Sequence, residues 1–579
     1  MPRRIHRTSL PSLRRSTWNV FACVVVPLLF AAVGVTQQTT PPENRAQQNG
    51  ASTGMAHAPI KDSLSRPITA GGFVDNGPVV FSDITHAAGL DKFHHVSGTR
   101  EKATILETPG SGVALLDYDN DGWLDIYLVN GSTFAALNGK EAPPRAMLFH
   151  NNHDGTFTDV TAKAGVADGR WSTGAAFGDY DGDGFLDLMV ANYVEFDLAH
   201  PPAFGKGVNC KYKGIDVQCG PRGLKGSGDS LFHNNGDGTF TDVSKVAGVQ
   251  DPGGYYGLGV VWADFNNTGK PDIYVANDST PSFLYRNAGK GKFEEIGLES
   301  GTALSEDGNE QASMGIAIGD YLHNGRPSIY VTHFADDYDT LYRNDGKWEF
   351  RDVSYAAGVA LPSIRWVKWG DAFADLDNDT WLDLIVASGH VYPQVDTLPS
   401  GDRYREPKLL DMNQGNGTFC DAHDQAGPAL QEARASRGLA VGDLFNDGNV
   451  DVVVENLDGA PTILKNPGVP GRHWISLELQ GTKSNRLAIG ARVKLVAGGV
   501  TQTEEIHSGG SYLSQNDLRV HFGLAAAAKV DSVEIHWPSG AIETIKDLSS
   551  DKFYSVLEGK GVVPFEEIRP KAAKPTPQP

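Results

Sequence analysis

Six times the chain sets an aspartate-rich nonapeptide between two short apolar runs: DYDNDGWLD (117–125), DYDGDGFLD (179–187), DFNNTGKPD (264–272), DYLHNGRPS (320–328), DLDNDTWLD (375–383) and DLFNDGNVD (443–451). In the first, Asp117, Asp119, Asp121 and Asp125 place side-chain oxygens at positions 1, 3, 5 and 9, and the carbonyl of Trp123 at position 7 can add another. A tight loop turns alternate side chains inward, and glycine at position 6 permits the reversal. Oxygen donors at this spacing suit a hard divalent cation. Ca2+, which takes about 6–8 oxygens, fits better than Mg2+, which keeps its waters and demands octahedral geometry. The pattern is the front half of an EF-hand loop. Position 12, however, is Leu128, Val190 or Val386 inside an apolar run, where an EF-hand has Glu and a helix. The loop therefore joins two strands.

The six loops differ in charge. Asp179, Asp181, Asp183 and Asp187, with the Phe185 carbonyl, repeat the four-carboxylate set. So do Asp375, Asp377, Asp379 and Asp383 with the Trp381 carbonyl, although Thr380 replaces the glycine. Asp264, Asn266, Thr268 and Asp272, with the Lys270 carbonyl, offer two charges and two neutral oxygens. In the sixth loop Asp443, Asp447 and Asp451 remain but Phe445 takes position 3. Leu322 and Ser328 remove two donors from 320–328, which is expected to hold no ion. A lone loop of this kind reads equally well as a turn held by Asx hydrogen bonds, but loops in phase with a strand repeat point to metal.

Residue patterns for catalysis are sparse. His94, His95, Glu101 and Glu107 precede the first repeat, and no HExxH, nucleophile triad or phosphate-binding loop is present. His333 and His390 follow strands and are read as structural, as are Trp366, Trp369 and Trp381 of the fifth repeat. No residue is assigned a catalytic role.

The elements that position the loops follow from the same repeats. A glycine stands five residues before each first aspartate: Gly112, Gly174, Gly259, Gly315, Gly370 and Gly438. An apolar strand fills the gap and a second follows the loop, as in IYLVN and LIVAS. Farther on come Asn-x5-Phe turns, as in NNHDGTF (151–157) and NDGKWEF (344–350), flanked by alternating runs that predict a hairpin. Each repeat thus supplies about four strands, and the nonapeptides start 62, 85, 56, 55 and 68 residues apart. Periods of that size predict an all-β fold, a β-propeller. The motif count gives six blades. Seven stay open because the longest repeat carries an insertion at about 193–229, read here as a loop. The sixth repeat lacks its fourth strand, and VVFSDITHAAGL (79–90) resembles one, so an N-terminal strand is expected to complete it and close the propeller. The domain is set at 79–471. Residues 472–560 alternate without nonapeptides and predict a small β-sandwich-like domain, followed by a tail at 561–579.

Composition agrees. Glycine is 67 of 579 residues, pointing to many turns, and the net charge of −21 argues against nucleic-acid partners. Residues 1–35 carry Arg3, Arg4, Arg7, Arg14 and Arg15 before an apolar run of about 16 residues. They read as a signal peptide, with a retained anchor as the alternative, and no other run is long enough to span a membrane. Residues 36–78 read as a disordered linker. In an exported chain Cys210 and Cys219, in a Gly-rich loop, predict a local disulfide. Cys420 reads as a buried small hydrophobe.

The Gly-x4-Asp-x-Asp-x-Asp-Gly repeats resemble the FG-GAP/VCBS repeats of integrin-α-type propellers. The C-terminal segment resembles the ASPIC/UnbV domain through Asn485–Val493, Gly509–Asn516, His521-Phe522-Gly523 and Trp537-Pro538-Ser539-Gly540. Cys219–Leu224, CGPRGL, fits the same group, the family of the cartilage acidic proteins. The resemblance implies an exported Ca2+-binding propeller that is not an enzyme and serves adhesion, meeting an extracellular protein or glycan. The alternatives are an exported polysaccharide hydrolase or lyase, or a periplasmic assembly factor.

Overall fold

The computed structural model describes residues 60–61, 67–68 and 79–568, apart from 120, 165–173, 238 and 252. The expected signal peptide and nearly all of the linker lie outside these residues; within the linker, Ile60–Lys61 pairs with Pro67–Ile68. Every nonapeptide joins the first two strands of an antiparallel four-stranded sheet. The first sheet is Val113–Leu116, Asp125–Leu128, Met147–Asn151 and Phe157–Asp159. The sixth is Ser436–Gly442, Asp451–Asn456 and Thr462–Lys465, completed by Ser82–Asp83, with Asp83 opposite Leu464. Six such sheets form the propeller. The insertion adds no seventh: it makes only the ladders Val194–Glu195 with Lys225–Gly226 and Lys211–Tyr212 with Ile215–Asp216, beside the Cys210–Cys219 disulfide.

Local chemistry explains the repeated residues. The Ala-Gly that closes a repeat ends a single helical turn, as in Ser354–Ala357, where Gly358 takes the left-handed C-cap at φ 91°. The Asn of the Asn-x5-Phe turn is a staple between sheets. Asn344 Nδ2 donates to the carbonyl of Phe265 in the third sheet at 2.8 Å and to Pro327 in its own at 3.0 Å. Asn287, Asn413 and Asn151 likewise reach Tyr180, Tyr321 and Leu444, and Asn466, at the matching place in the sixth repeat but without the turn, reaches Leu376. Apolar clusters fill the same interfaces, for example Leu115, Ile126 and Phe149 with Leu444 and Val453 between the first and sixth sheets.

The glycine before each loop permits close approach at the propeller centre. A Cβ on Gly315 would lie 2.0 Å from the Trp369 carbonyl oxygen, and one on Gly259 would lie 2.3 Å from that of Met314. Gly112 is different: its neighbour, 1.6 Å from such a Cβ, is the carbonyl oxygen of Leu513 from the C-terminal domain.

That domain is two four-stranded sheets around one apolar core. One holds Val520–Ala525, His473–Gln480, Lys552–Leu557 and Gly561–Val563; the other holds Val500–Glu505, Arg492–Ala497, Lys529–His536 and Ile542–Ser549. The tail expected from 561 therefore begins later, because Gly561–Val563 extends a sheet and Ile568 is buried. Between Glu505 and Val520 a loop enters the propeller centre. Gly510 N donates to Val260 O at 3.1 Å, Gln515 N to Val113 O at 3.0 Å and Asp517 N to Val441 O at 3.0 Å. Ser511 Oγ donates to Leu439 O at 2.7 Å and accepts from Asp371 N at 3.1 Å. Backbone groups on the innermost strands, which no neighbouring strand pairs, are satisfied by this loop.

Candidate metal centres

Each loop is first a hydrogen-bonded turn. The position-1 carboxylate accepts the N–H groups of positions 5 and 6: Asp117 takes those of Asp121 and Gly122 at 2.9 and 2.8 Å, and Asp375 those of Asp379 and Thr380 at 2.8 and 2.7 Å. Asp320 and Asp443 do the same in the depleted loops. The position-9 carboxylate ties the loop to the sheet. Asp383 accepts from Leu376 N at 3.2 Å and Asn413 N at 2.9 Å, and Asp125, Asp187, Asp272 and Asp451 repeat this pair. Backbone donors fix the side chains, and carboxylate oxygens remain to face one another.

Three loops bring ligand atoms within 4.8 Å of one another: Asp117, Asp119 and Asp125; Asp179, Asp181 and Asp183; and Asp375, Asp377 and Asp383. These are the loops with four carboxylates in the sequence. Burial pushes Asp125 and Asp187 up to about 6, against the backbone N–H groups that lower them. Burial, then the neighbouring Asp379, pushes Asp377 up to about 6, and Asp375 and Asp383 are raised well above the carboxylate range. Apposed acids so raised hold protons in place of a cation. Position 7 packs outward: Trp381 stacks on His323 at 3.9 Å, Trp123 on His153 at 4.7 Å, and Phe185 is exposed.

The remaining loops form no such group among the described residues. In 264–272, Asp264 accepts from Thr268 N at 2.8 Å, Asn266 Oδ1 accepts from Lys347 N at 3.2 Å, and Lys270 lies beside the Gly289 turn. Glu505 of the C-terminal domain accepts from Asp264 N at 3.0 Å and brings a further carboxylate. In 443–451 the Lys465 ammonium lies 3.3 Å from Asp447 and over the Phe445 ring at 3.8 Å. In 320–328 Arg492 donates to the Gly325 carbonyl. Arg472 also reaches Asp377 at 2.5 Å and Asp379 at 3.6 Å, flanking a full carboxylate set.

Reading the nonapeptides alone misses these cations and two histidines. His150 Nδ1 lies 3.2 Å from Asp125 and 3.5 Å from Asp119, and His233 stands likewise to Asp187 and Asp181 at 3.1 and 3.5 Å. The signal was available: the residue before the recurring Asn is His150, His233, Arg286, Arg343, Met412 or Lys465. His or Met accompanies the full carboxylate sets, and Arg343 and Lys465 accompany the two loops that lost the position-3 oxygen to Leu322 and Phe445.

Most of the other sequence candidates are packed into the fold, while His94 and Glu101 are exposed. Glu107 spends its carboxylate on Thr104 N at 2.8 Å and Thr99 Oγ1 at 2.7 Å. His95, His333 and His390 are buried, and the three tryptophans of the fifth repeat separate into different packing environments. Cys420 is half-buried on an outer strand, more open than expected.

Sequence comparison finds known repeats and a known domain in the same sheets. Residues 117–190, 223–275 and 264–331 match the FG-GAP-like repeat, and 481–563 match the ASPIC and UnbV domain. The matches thus lay FG-GAP-like repeats over part of the propeller and an ASPIC and UnbV domain over most of the C-terminal sheets. It is similar to cartilage acidic protein 1 of Xenopus tropicalis, 25% identical over 77% of this chain and 64% of that protein, and of Mus musculus, 26% identical over the same shares. It spans less than two thirds of the length of these relatives. Among solved structures it is similar to the α-L-arabinanase of Penicillium chrysogenum, with TM-score 0.34, 11% identity and coverage of 64% of this chain and 97% of that one.

Proposed function

We propose that this chain is an exported, Ca2+-binding interaction module without enzymatic activity, which meets an extracellular protein or glycan. The observation that carries the reading is the convergence of carboxylates in 117–125, 179–187 and 375–383. The donors are carboxylate oxygens on short loops, as a hard cation prefers. The ligands would be Asp117, Asp119, Asp121 and Asp125; Asp179, Asp181, Asp183 and Asp187; and Asp375, Asp377, Asp379 and Asp383, with the carbonyls of Trp123, Phe185 and Trp381. Loop 264–272 joins them through Asp264, Asn266, Thr268 and Asp272 with the Lys270 carbonyl, and Asp443, Asp447 and Asp451 form the weakest set. In the fifth loop Arg472 must swing aside for an ion to enter.

Export fits the Cys210–Cys219 disulfide, and among the described residues no helix is long and apolar enough to cross a membrane. Ca2+ would stiffen the loops on which the C-terminal domain rests. Metal analysis after gel filtration, with melting curves in Ca2+, Mg2+ and chelator, tests the reading. Bound Ca2+ stabilises by mass action, about 2.7 kcal/mol per site at a hundredfold excess over Kd. The expected result is three or four ions and a melting temperature several degrees lower in chelator, with Mg2+ restoring little. An unchanged curve would remove the calcium assignment.

A further inference from the structure

Antiparallel strands put the loops after each second strand on the face opposite the nonapeptides. That face holds a cavity of about 330 Å³ at the propeller centre, within the usual range of about 300–1,000 Å³ for ligand pockets. Tyr193 and Asp278 follow the second strands of the second and third sheets, Asp337 that of the fourth and Tyr392 that of the fifth. Trp369 lies at the bottom, its ring 4.8 Å from that of the fully buried Tyr512 of the inserted loop. The disulfide-bearing insertion covers one side with Gln218 and Arg222.

The charged groups facing this space are mostly carboxylates, Asp278, Asp337 and Glu310 against the single Arg222. Asp278 is held by the Tyr193 hydroxyl at 2.6 Å and the Ser279 hydroxyl at 2.8 Å, and neither it nor Asp337 has an ion-pair partner among the described residues. The nearby cations are committed elsewhere. Arg222 donates to Glu310 and to the Ser279 carbonyl, both at 3.0 Å. Lys368 lies 3.4 Å from Asp339 and donates to the backbone carbonyls of Phe334 and Asp337. Gln218 is 2% exposed; its Nε2 donates to Thr108 Oγ1, and its Oε1 has no donor. A buried acceptor left without a donor is costly, so a donor-bearing guest is favoured. Aromatic faces beside unpaired carboxylates attract a positive charge rather than a neutral molecule. A saccharide, whose hydroxyls carry no charge, gains nothing from the excess of carboxylates here.

We propose that this central cavity binds a small organic cation carrying an ammonium group. The test is calorimetric titration of the full chain in saturating Ca2+. The probes are cadaverine and choline, each paired with a neutral analogue of the same shape, pentane-1,5-diol and 3,3-dimethylbutan-1-ol, with methyl glucoside as the saccharide arm. At least one cation is expected to bind tenfold or more tightly than its analogue. Asp278→Asn should abolish the difference while metal content stays unchanged; Asp337→Asn gives a second reading if that variant does not fold. Asp336→Asn, at an exposed carboxylate paired with Lys213 of the insertion, should leave it intact. If each cation binds no more tightly than its neutral analogue, or if the glucoside binds more tightly than both cations, the proposal is overturned.

Discussion

A single side chain decides whether a loop needs an outside ion. In the sixth repeat Lys465 sits over Phe445, the position-3 residue, and meets Asp447, so an ammonium accompanies a loop that lacks the position-3 carboxylate of the three full sets. In the fifth repeat the matching residue is Met412, which brings no charge. Charge count sets Ca2+ affinity, so the loops can be ranked by substitution. Asp119→Ala, Asp181→Ala and Asp377→Ala should each lose about one ion per chain. Asp320→Ala should lose none, since Leu322 and Ser328 have already removed two donors. The double variant Phe445→Asp/Lys465→Met should gain one ion by restoring the carboxylate and removing the ammonium. Metal counting on the purified variants decides, and an ion lost from Asp320→Ala but kept in Asp181→Ala would show that loop position does not define the ligands.

Between residue and fold stands the four-stranded sheet, and its joints are uneven. Five of the recurring Asn residues reach a carbonyl of the preceding sheet, whereas among the described residues the Asn234 amide donates only to Leu186 of its own. The joint between the first and second sheets has no apolar cluster among the described residues, and Leu513 of the inserted loop lies against both Gly112 and Gly174 there. Asn344→Ala strands buried carbonyls on two sheets and should cost about 2–6 kcal/mol, at roughly 1–3 kcal/mol for each unsatisfied group. Asn234→Ala, at a half-buried position without a bond between sheets, should cost about 1 kcal/mol. Equal losses in urea denaturation would contradict the staple. The sheets were legible because period and alternation mark strands wherever they recur, and the Asp, Gly and Asn of each repeat fall at fixed positions. The inserted loop was not legible. Its contacts with the propeller run largely through backbone N–H and C=O groups, which leave no mark on residue type, and its partners lie hundreds of positions away. The central cavity was hidden for the same reason, since Tyr193, Asp278, Asp337 and Tyr392 belong to four different repeats.

At the scale of the whole molecule, the excess of acid becomes a statement about pH. The chain carries 71 acidic and 50 basic side chains, and much of the acid is packed into loops and sheets. Asp125, Asp187 and Asp377 are pushed up from 3.8 to about 6, and Asp339 and Asp443 are raised to the same level, burial being the largest cause in every case. Without metal, these carboxylates therefore hold more protons in the folded chain than in the unfolded chain between about pH 4 and 6. Stability falls with rising pH wherever the folded state binds more protons. The metal-stripped protein should thus melt higher at pH 5 than at pH 7.5. Ca2+ reverses the sign at its own ligands, because it binds the deprotonated carboxylates and protons compete with it. The Ca2+-saturated protein should melt higher at pH 7.5, and the gap between the two curves should widen across that interval. Melting temperatures of both forms at matched ionic strength check this, since a stripped protein that gains stability from pH 5 to 7.5 would show that these carboxylates are not raised. A gap that stays constant would mean that the bound metal does not sit on the titrating groups of the nonapeptide loops.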